Sequence, residues 1–290
     1  MTVLELVREI ARRFRAARLH YGHGTGNALD EAAWLVSHAL GLPPAALEAR
    51  ADREVGAVPE RRARTLAAQR IRERVPLAYL LGEAWIGEAR FLVDRCVLVP
   101  RSFIGELLED GSLDALLPRT PRRVLDLCTG SGCLGILAAL RYRRARVDLA
   151  DLSAEALRVA KRNVALHHVS RRVRALRGNL YEALPDGRYD LIVTNPPYVN
   201  AAAMRRLPDE YRREPRLALA GGRDGLDLVH RILAGASSRL APGGWLVCEI
   251  GHNRRALERA YPKLPFLWME TSAGDRYVFA LSQRDLPEGR

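Results

Sequence analysis

Asn195-Pro196-Pro197-Tyr198 is the segment of this chain whose residue types and order best suit chemistry. It follows Leu191-Ile192-Val193-Thr194, which reads as a buried strand, so Asn195 should leave a strand's carboxyl end, where α/β sheets place ligands. The two prolines fix the backbone, and Pro196 offers a carbonyl with no N–H of its own. Asn195 Oδ1 and that carbonyl can accept both hydrogens of one planar –NH2 group. Gripping both N–H bonds aims the nitrogen at an electrophilic methyl and favours its rehybridisation as the new bond forms. Tyr198 can pack against the flat group. An amide nitrogen is a poor nucleophile because its lone pair is conjugated, and no Ser-His-Asp, Cys-His or metal-ligand spacing is evident to activate it. The expected chemistry is direct in-line methyl transfer by alignment and electrostatics. The bland alternative is a proline-stiffened turn that only ends a strand.

A second chemical segment lies upstream. Asp126-Leu127-Cys128-Thr129-Gly130-Ser131-Gly132-Cys133-Leu134-Gly135 follows a strand and opens a helix, and Gly130, Gly132 and Gly135 match G-x-G-x-x-G. Small residues there let a ligand approach the backbone, and Asp151, ending the next strand, could accept hydrogen bonds from ribose hydroxyls. Taken alone, this suits a dinucleotide oxidoreductase as well as an S-adenosylmethionine enzyme, or a purely structural turn. Two residues favour S-adenosylmethionine. Asp126 would face a cationic amino group and sulfonium, whereas it would repel a pyrophosphate. Asn179, beside Leu180 after the third strand, could meet an adenine edge, since an amide both donates and accepts. Hydride chemistry, moreover, gives Asn-Pro-Pro-Tyr no role.

These segments need a frame, and the sequence predicts one. Residues 1–80 read as a small helical domain: Val3, Leu6, Val7, Ile10 and Phe14 make an amphipathic first helix, and Leu29–Leu40 and Val58–Val75 repeat at helical spacing. Residues 81–100 read as a linking β-hairpin, strand-like from Ala84 to Val99 around a turn at Gly87-Glu88. Residues 101–290 alternate strands (123–127, 145–150, 173–177, 191–194, 245–250) with helices (134–142, 154–167, 226–240), the pattern of a parallel sheet covered on both faces. Leu267–Thr271 and Arg276–Leu281 have no helix between them and should close the sheet as an antiparallel hairpin. His167-His168 reads as the surface end of a helix.

Composition sets the outer bounds. The 290 residues are 48% hydrophobic and 28% charged, enough aliphatic content for a core, which excludes wholesale disorder. No apolar run is long enough to span a bilayer, and the first helix lacks a secretory signal's apolar centre, so a cytoplasmic protein without membrane contact is expected. Cys96, Cys128, Cys133 and Cys248 show no metal or disulfide spacing and read as reduced thiols. The net charge is +12, carried almost wholly by arginine. It permits contact with ribosomal RNA or an assembling ribosomal particle, while genome composition and solvated helix faces explain part of it.

From about Pro76 to Leu281 the chain resembles the HemK-type protein glutamine methyltransferases, and within them the PrmB branch, which methylates a glutamine of large-subunit ribosomal protein L-three. The branch features are the glycine turn with Cys128 and Cys133, Val99-Pro100-Arg101-Ser102, and Leu207-Pro208-Asp209-Glu210-Tyr211-Arg212 leading to Glu214-Pro215. Gly82-Glu83-Ala84-Trp85 and Gly221 to Asp227 fit the sister branch as well. The resemblance implies an α/β class: a Rossmann-like seven-stranded methyltransferase domain with S-adenosylmethionine as methyl donor and no metal. It further implies that Cys128, Thr129, Gly130, Ser131, Gly132 and Asp151 contact the donor, alongside Asp126, Asn179, Leu180 and Asn195. Asn195 and Pro196 would be catalytic, gripping the substrate amide, with Pro197 and Tyr198 lining its pocket. Phe103 departs from the family pattern, which has proline there, as does Asn179, where aspartate is common. The remaining alternatives are a release-factor glutamine methyltransferase of the sister branch, an adenine-N6 nucleic-acid methyltransferase, which would need base extrusion and a larger recognition region, and a basic ribosome-binding protein with a degenerate enzyme domain.

Overall fold

The computed structural model describes residues 1–182 and 184–287. The amino-terminal helices are α1 (Val3–Ala16), α2 (Ala28–Ala39), α3 (Ala57–Glu73) and the short α4 (Leu77–Leu81). A reciprocal cap starts α1: the Glu5 N–H donates to Thr2 Oγ1 at 3.2 Å, and the Thr2 N–H donates to Glu5 Oε2 at 2.8 Å. Asn27 Oδ1 caps α2 by accepting from the Leu29 and Asp30 N–H groups. All five apolar residues singled out in the first helix are buried, as their spacing requires. Their core does not end with the helices. It continues through Val93, Val97 and Val99 onto Ala156 and Val159 of a helix in the next unit.

The hairpin is shorter than its sequence suggests. Strands β1 (Glu83–Ile86) and β2 (Ala89–Leu92) pair antiparallel about Gly87-Glu88, and the chain then leaves the ladder. The Val97-Leu98-Val99 run, expected as strand, joins no ladder, and the Val97 N–H turns back to the Asp94 carbonyl at 3.2 Å. Two of its other backbone groups are taken by side chains: Tyr79 Oη donates to the Val97 carbonyl at 2.5 Å, and the Val99 N–H donates to Glu214 Oε1 at 3.1 Å.

Beyond it come α5 (Phe103–Asp110), β3 (Arg123–Leu127), α6 (Cys133–Arg141), β4 (Arg146–Asp151), α7 (Ala154–Leu166), β5 (Val173–Arg177), β6 (Tyr189–Thr194), α8 (Ala201–Met204), α9 (Asp227–Arg239), β7 (Leu240–Glu249), α10 (Arg254–Ala260), β8 (Leu267–Met269) and β9 (Val278–Ser282). They build a seven-stranded sheet in the order β5-β4-β3-β6-β7-β9-β8, with β9 antiparallel to both its neighbours. Side chains alternate across it. Val124, Leu191, Val193 and Val247 face the core containing Ile104, Leu107, Ile136 and Leu137 of α5 and α6. Leu125, Leu127, Ile192 and Leu246 face the core built with Val229, Ile232 and Leu233 of α9 and Leu257 of α10.

Strand order reverses between β3 and β6, which are hydrogen-bonded neighbours although β4 and β5 intervene in sequence. A crevice opens at the carboxyl ends of strands at such a point. The glycine turn leaves β3 there and Asn195 leaves β6 there. Thr194 Oγ1, fully buried, donates to the Leu127 carbonyl at 2.9 Å and ties the two exits together.

Candidate active site

The glycine turn starts with Cys128, whose φ of +56° is a left-handed conformation for a residue with a side chain, and continues through Gly130 at +57° and Gly132 at +84°. The third glycine serves packing. A Cβ on Gly135 would sit 2.1 Å from Leu149 Cδ2 and 3.1 Å from Asp126 Cβ, so its absence lets α6 lie close on the sheet. Asp126 is 1% exposed. Its Oδ2 accepts from Thr129 Oγ1 and from the Gly135 N–H at 2.8 Å, while Oδ1 has no partner among the described residues. Burial pushes its pKa up to about 7, against the pull of those two donors. Asp151 accepts from the Gly130 N–H on Oδ2 and the Ser153 N–H on Oδ1, both at 2.8 Å, and burial raises its pKa as well.

A cavity of about 290 Å³ opens on this turn. Asp126, Cys128, Thr129, Gly130, Ser131, Asp151, Asn179, Leu180, Asn195 and Pro197 all line it. Gly132 does not line it. It caps α6 from behind, where a Cβ would meet Ala160 and Leu149 at 3.2 Å. Asn179 turns its Nδ2 toward Glu182 Oε1 at 3.0 Å. The donor set fits S-adenosylmethionine. An orphaned buried carboxylate oxygen at Asp126 awaits a cation, a second carboxylate at Asp151 keeps lone pairs for hydroxyls, and backbone with positive φ lies between them.

A second cavity, of about 840 Å³, opens between the loop joining α1 to α2, the hairpin and the sheet. Pro196 and Tyr198 line this one, and Asn195 lines both, in the wall that also holds Leu98, Arg101, Ser102 and Ala218. Among the described residues no group engages the Asn195 amide or the Pro196 carbonyl by a hydrogen bond. Tyr198, by contrast, is fixed from several sides. A Cβ on Gly221 would lie 2.7 Å from Tyr198 Cα, one on Gly225 2.4 Å from its carbonyl oxygen, and one on Gly251 2.6 Å from its ring. Asn253 Nδ2 donates to the Tyr198 carbonyl at 2.8 Å, and Tyr198 Oη donates to Glu249 Oε1 at 3.3 Å. Glu249 also accepts from Ser102 Oγ at 2.6 Å and the Phe103 N–H at 2.9 Å, and burial pushes its pKa up to about 7. Phe103 thus supplies a donor that the proline of the family pattern would lack.

Sequence reasoning missed the frame around the site. Glu214 and Arg101 form a two-pronged ion pair with both contacts at 2.6 Å, and His23 Nε2 lies 3.5 Å from Glu214 Oε2. Glu210 accepts from Arg74 at 3.2 Å and from the His20 N–H at 3.2 Å. Arg70, fully buried, bonds Glu31 at 2.8 Å and reaches Glu210 at 3.4 Å. One segment, Leu207 to Pro215, therefore pins the sheet to the helices with two carboxylates. Glu210, Glu214 and Arg101 stood in segments noted for family likeness, but a partner more than a hundred residues away leaves no local pattern. His167 Nε2 pairs with the Arg90 carbonyl at 2.8 Å and closes the hairpin onto α7. The four cysteines are unpaired.

Sheet order, glycine turn and crevice define a class I methyltransferase. The family described as "Methyltransferase small domain" matches residues 108–207, and "PrmC N-terminal domain" matches residues 5–82. A Bordetella pertussis protein named ribosomal protein uL3 glutamine methyltransferase is 50% identical over 288 residues, covering 98% of this chain and 96% of its own. A Burkholderia pseudomallei protein of the same name is 49% identical over 296 residues, covering 99% and 96%. Among solved structures, the hMettl16 catalytic domain in complex with a MAT2A 3'UTR hairpin superposes with a TM-score of 0.53 at 18% identity, over 79% of this chain and 84% of that one, a likeness of fold. The chain belongs to the family of ribosomal protein uL3 glutamine methyltransferases. S-adenosylmethionine is its methyl donor. No helix among the described residues is long and apolar enough to cross a membrane.

Proposed function

We propose that this chain methylates the side-chain amide nitrogen, N5, of one glutamine in ribosomal protein L-three (uL3), acting in the cytoplasm. The observation that carries the reading is the place of Asn195, in the wall common to both cavities and with its amide free. Residues 1–80 act as the recognition unit, 81–100 as the linker and 101–290 as the transferase domain. The larger cavity receives the segment bearing the glutamine. Asn195 Oδ1 and the Pro196 carbonyl accept the two amide hydrogens, and Pro197 and Tyr198 hold the amide plane. Asp126 binds the donor's amino group, the turn from Cys128 to Ser131 its amino-acid portion, Asp151 its ribose, and Asn179 and Leu180 its adenine. Bound S-adenosylmethionine supplies a methyl on cationic sulfur. With the donor bound, Asn195 Oδ1 and the Pro196 carbonyl would stabilise the positive charge that the amide nitrogen takes on as it accepts the methyl, and the nitrogen's surplus proton would leave to solvent. The basic surface contacts ribosomal RNA or the assembling particle.

Incubation with labelled donor and purified L-three, followed by fragment mass analysis, should find one added methyl on one glutamine. Labelling of a peptide release factor instead would move the chain to the sister branch. Transfer to an adenine base would refute amide chemistry.

A further inference from the structure

The sheet has a second edge of interest, opposite the crevice. Parallel register sets Arg123 against Arg146 and Val147 against Val173, so the arginine runs preceding three neighbouring strands come to lie side by side. A concavity of about 340 Å³ there is lined by Arg123, Arg146, Arg171, Arg172 and Arg174, with Ser170, Val173 and one acid, Asp148. That acid is spent: Arg174 and Tyr189 Oη already bond it, and Arg123 stands 4.0 Å away. Arg172 is anchored by donating to the Ala139, Tyr142 and Ala145 carbonyls, which close the end of α6. Arg143, Arg144, Arg146 and Arg171 are exposed, with no carboxylate in ion-pair range among the described residues. The amino-terminal helices are also arginine-rich, with Arg12, Arg13, Arg15 and Arg18 in one run, but Glu5, Glu9, Glu48, Asp52, Glu54 and Glu60 stand among their other arginines.

We propose that this edge binds the phosphate backbone of RNA. Guanidinium groups take phosphate oxygens in pairs, and a row repeating at the ~4.8 Å strand spacing follows a continuous polyanion better than an isolated carboxylate. Tyr142 and Tyr189, the aromatic residues near the edge, are buried, so no ring is offered for base stacking. Binding is therefore insensitive to sequence and steeply sensitive to salt. The site lies a strand's length from Asn195, roughly 17–20 Å for strands of five to six residues, which leaves the catalytic mouth open while RNA is held. Only the choice of ribosomal RNA as the natural ligand rests on the proposed reaction.

The test measures binding of a fluorescent oligouridine strand by anisotropy across salt, from about 50 to 200 mM. Replacing Arg143, Arg144, Arg146 and Arg171 by alanine should weaken binding at least about tenfold and lower the log–log salt slope by up to about 3, near 0.7 per lost phosphate contact. A second variant, with Arg8, Arg12, Arg53 and Arg61 replaced, loses the same charge elsewhere and should keep the parent slope. Equal losses in both variants would reduce the effect to net charge and overturn the proposal. So would absence of binding by the parent at low salt, or displacement by an acidic protein under conditions where RNA does not compete. Methyl transfer to isolated L-three should be unchanged in the edge variant. A parent that binds RNA but transfers no methyl would refute the proposed reaction and leave the edge standing.

Discussion

Glu214→Gln is the substitution that most directly tests how the amino-terminal helices are held to the catalytic sheet. The native carboxylate accepts two contacts at 2.6 Å from Arg101 and one at 3.1 Å from the Val99 N–H. Burial alone would raise its pKa, but Arg101 and His23 outweigh burial and hold it at about 2, against an ordinary value of 4.5. That difference amounts to about 3 kcal/mol of stability at neutral pH. The folded-state value is depressed, so this stability is fully present above about pH 4.5 and is lost as pH falls through about 2. Glutamine cannot balance the Arg101 charge, and removing one partner of a buried pair costs about 3–5 kcal/mol. Urea unfolding at neutral pH should show a loss in that range, equivalent to roughly 10 °C in melting temperature for a unit of this size. The gap between parent and variant should narrow as pH is lowered from about 4.5 toward 2. Pairing Glu214→Leu with Arg101→Met removes both charges and should recover most of the stability. It should not restore turnover, because Arg101 also stands in the wall common to both cavities. A single variant within about 1 kcal/mol of the parent, or a gap that does not depend on pH, would refute the reasoning.

Asn195→Ala should lower turnover by about a hundredfold or more while changing donor affinity by less than about threefold, read by single-turnover kinetics and calorimetry. Asp151→Ala should do the reverse, weakening donor binding roughly 10- to 100-fold by removing hydrogen bonds to a charged acceptor. Donor affinity should rise with pH as Asp126, with its pKa near 7, ionises, and level off until the donor's own amino group titrates near 8. Asp126→Asn should bind more weakly and abolish the lower limb of that titration. Gly221→Ala places a methyl 2.7 Å from backbone at Tyr198, which cannot swing aside as a flexible side chain would, and should depress turnover along with thermal stability.

The parallel core was legible because strands buried on both faces are short aliphatic runs, and all but β5 and β6 are separated from the next by a helix with its own period. The ends of the site were legible for a related reason. Asn195 and the glycine turn sit within a few residues of the strands that aim them, so local sequence carries their geometry. Gly132 shows the limit of that logic. It matches the motif, yet its missing side chain makes room for Ala160 and Leu149 and not for a ligand. Val97 to Val99 misled for the opposite reason, since alternating valines describe burial but not who takes the backbone hydrogen bonds, and Glu214 takes one of them. The Glu249–Ser102–Phe103 cluster and the Glu210–Arg70–Glu31 chain were silent, because nothing in one segment marks its complement in another.

On the proposed reaction the nucleophile is left unactivated and rate must come from position, a demand that the surroundings of Asn195 suit. Its own amide is left free, while nearly everything beside it is committed. Thr194 is bound to the exit of β3, the Tyr198 carbonyl to Asn253, its hydroxyl to Glu249, and its backbone and ring fill space left by three glycines. If Asn195 Oδ1 and the Pro196 carbonyl accept the amide hydrogens as proposed, restricting their neighbours would leave little reorganisation as charge develops on nitrogen. The rigidity reaches outward through Glu249 to the start of α5, and through the Val99 N–H and Glu214 to Arg101. On the proposed reading, helices that contribute no atom to the reaction would thereby bear on how accurately the amide is held.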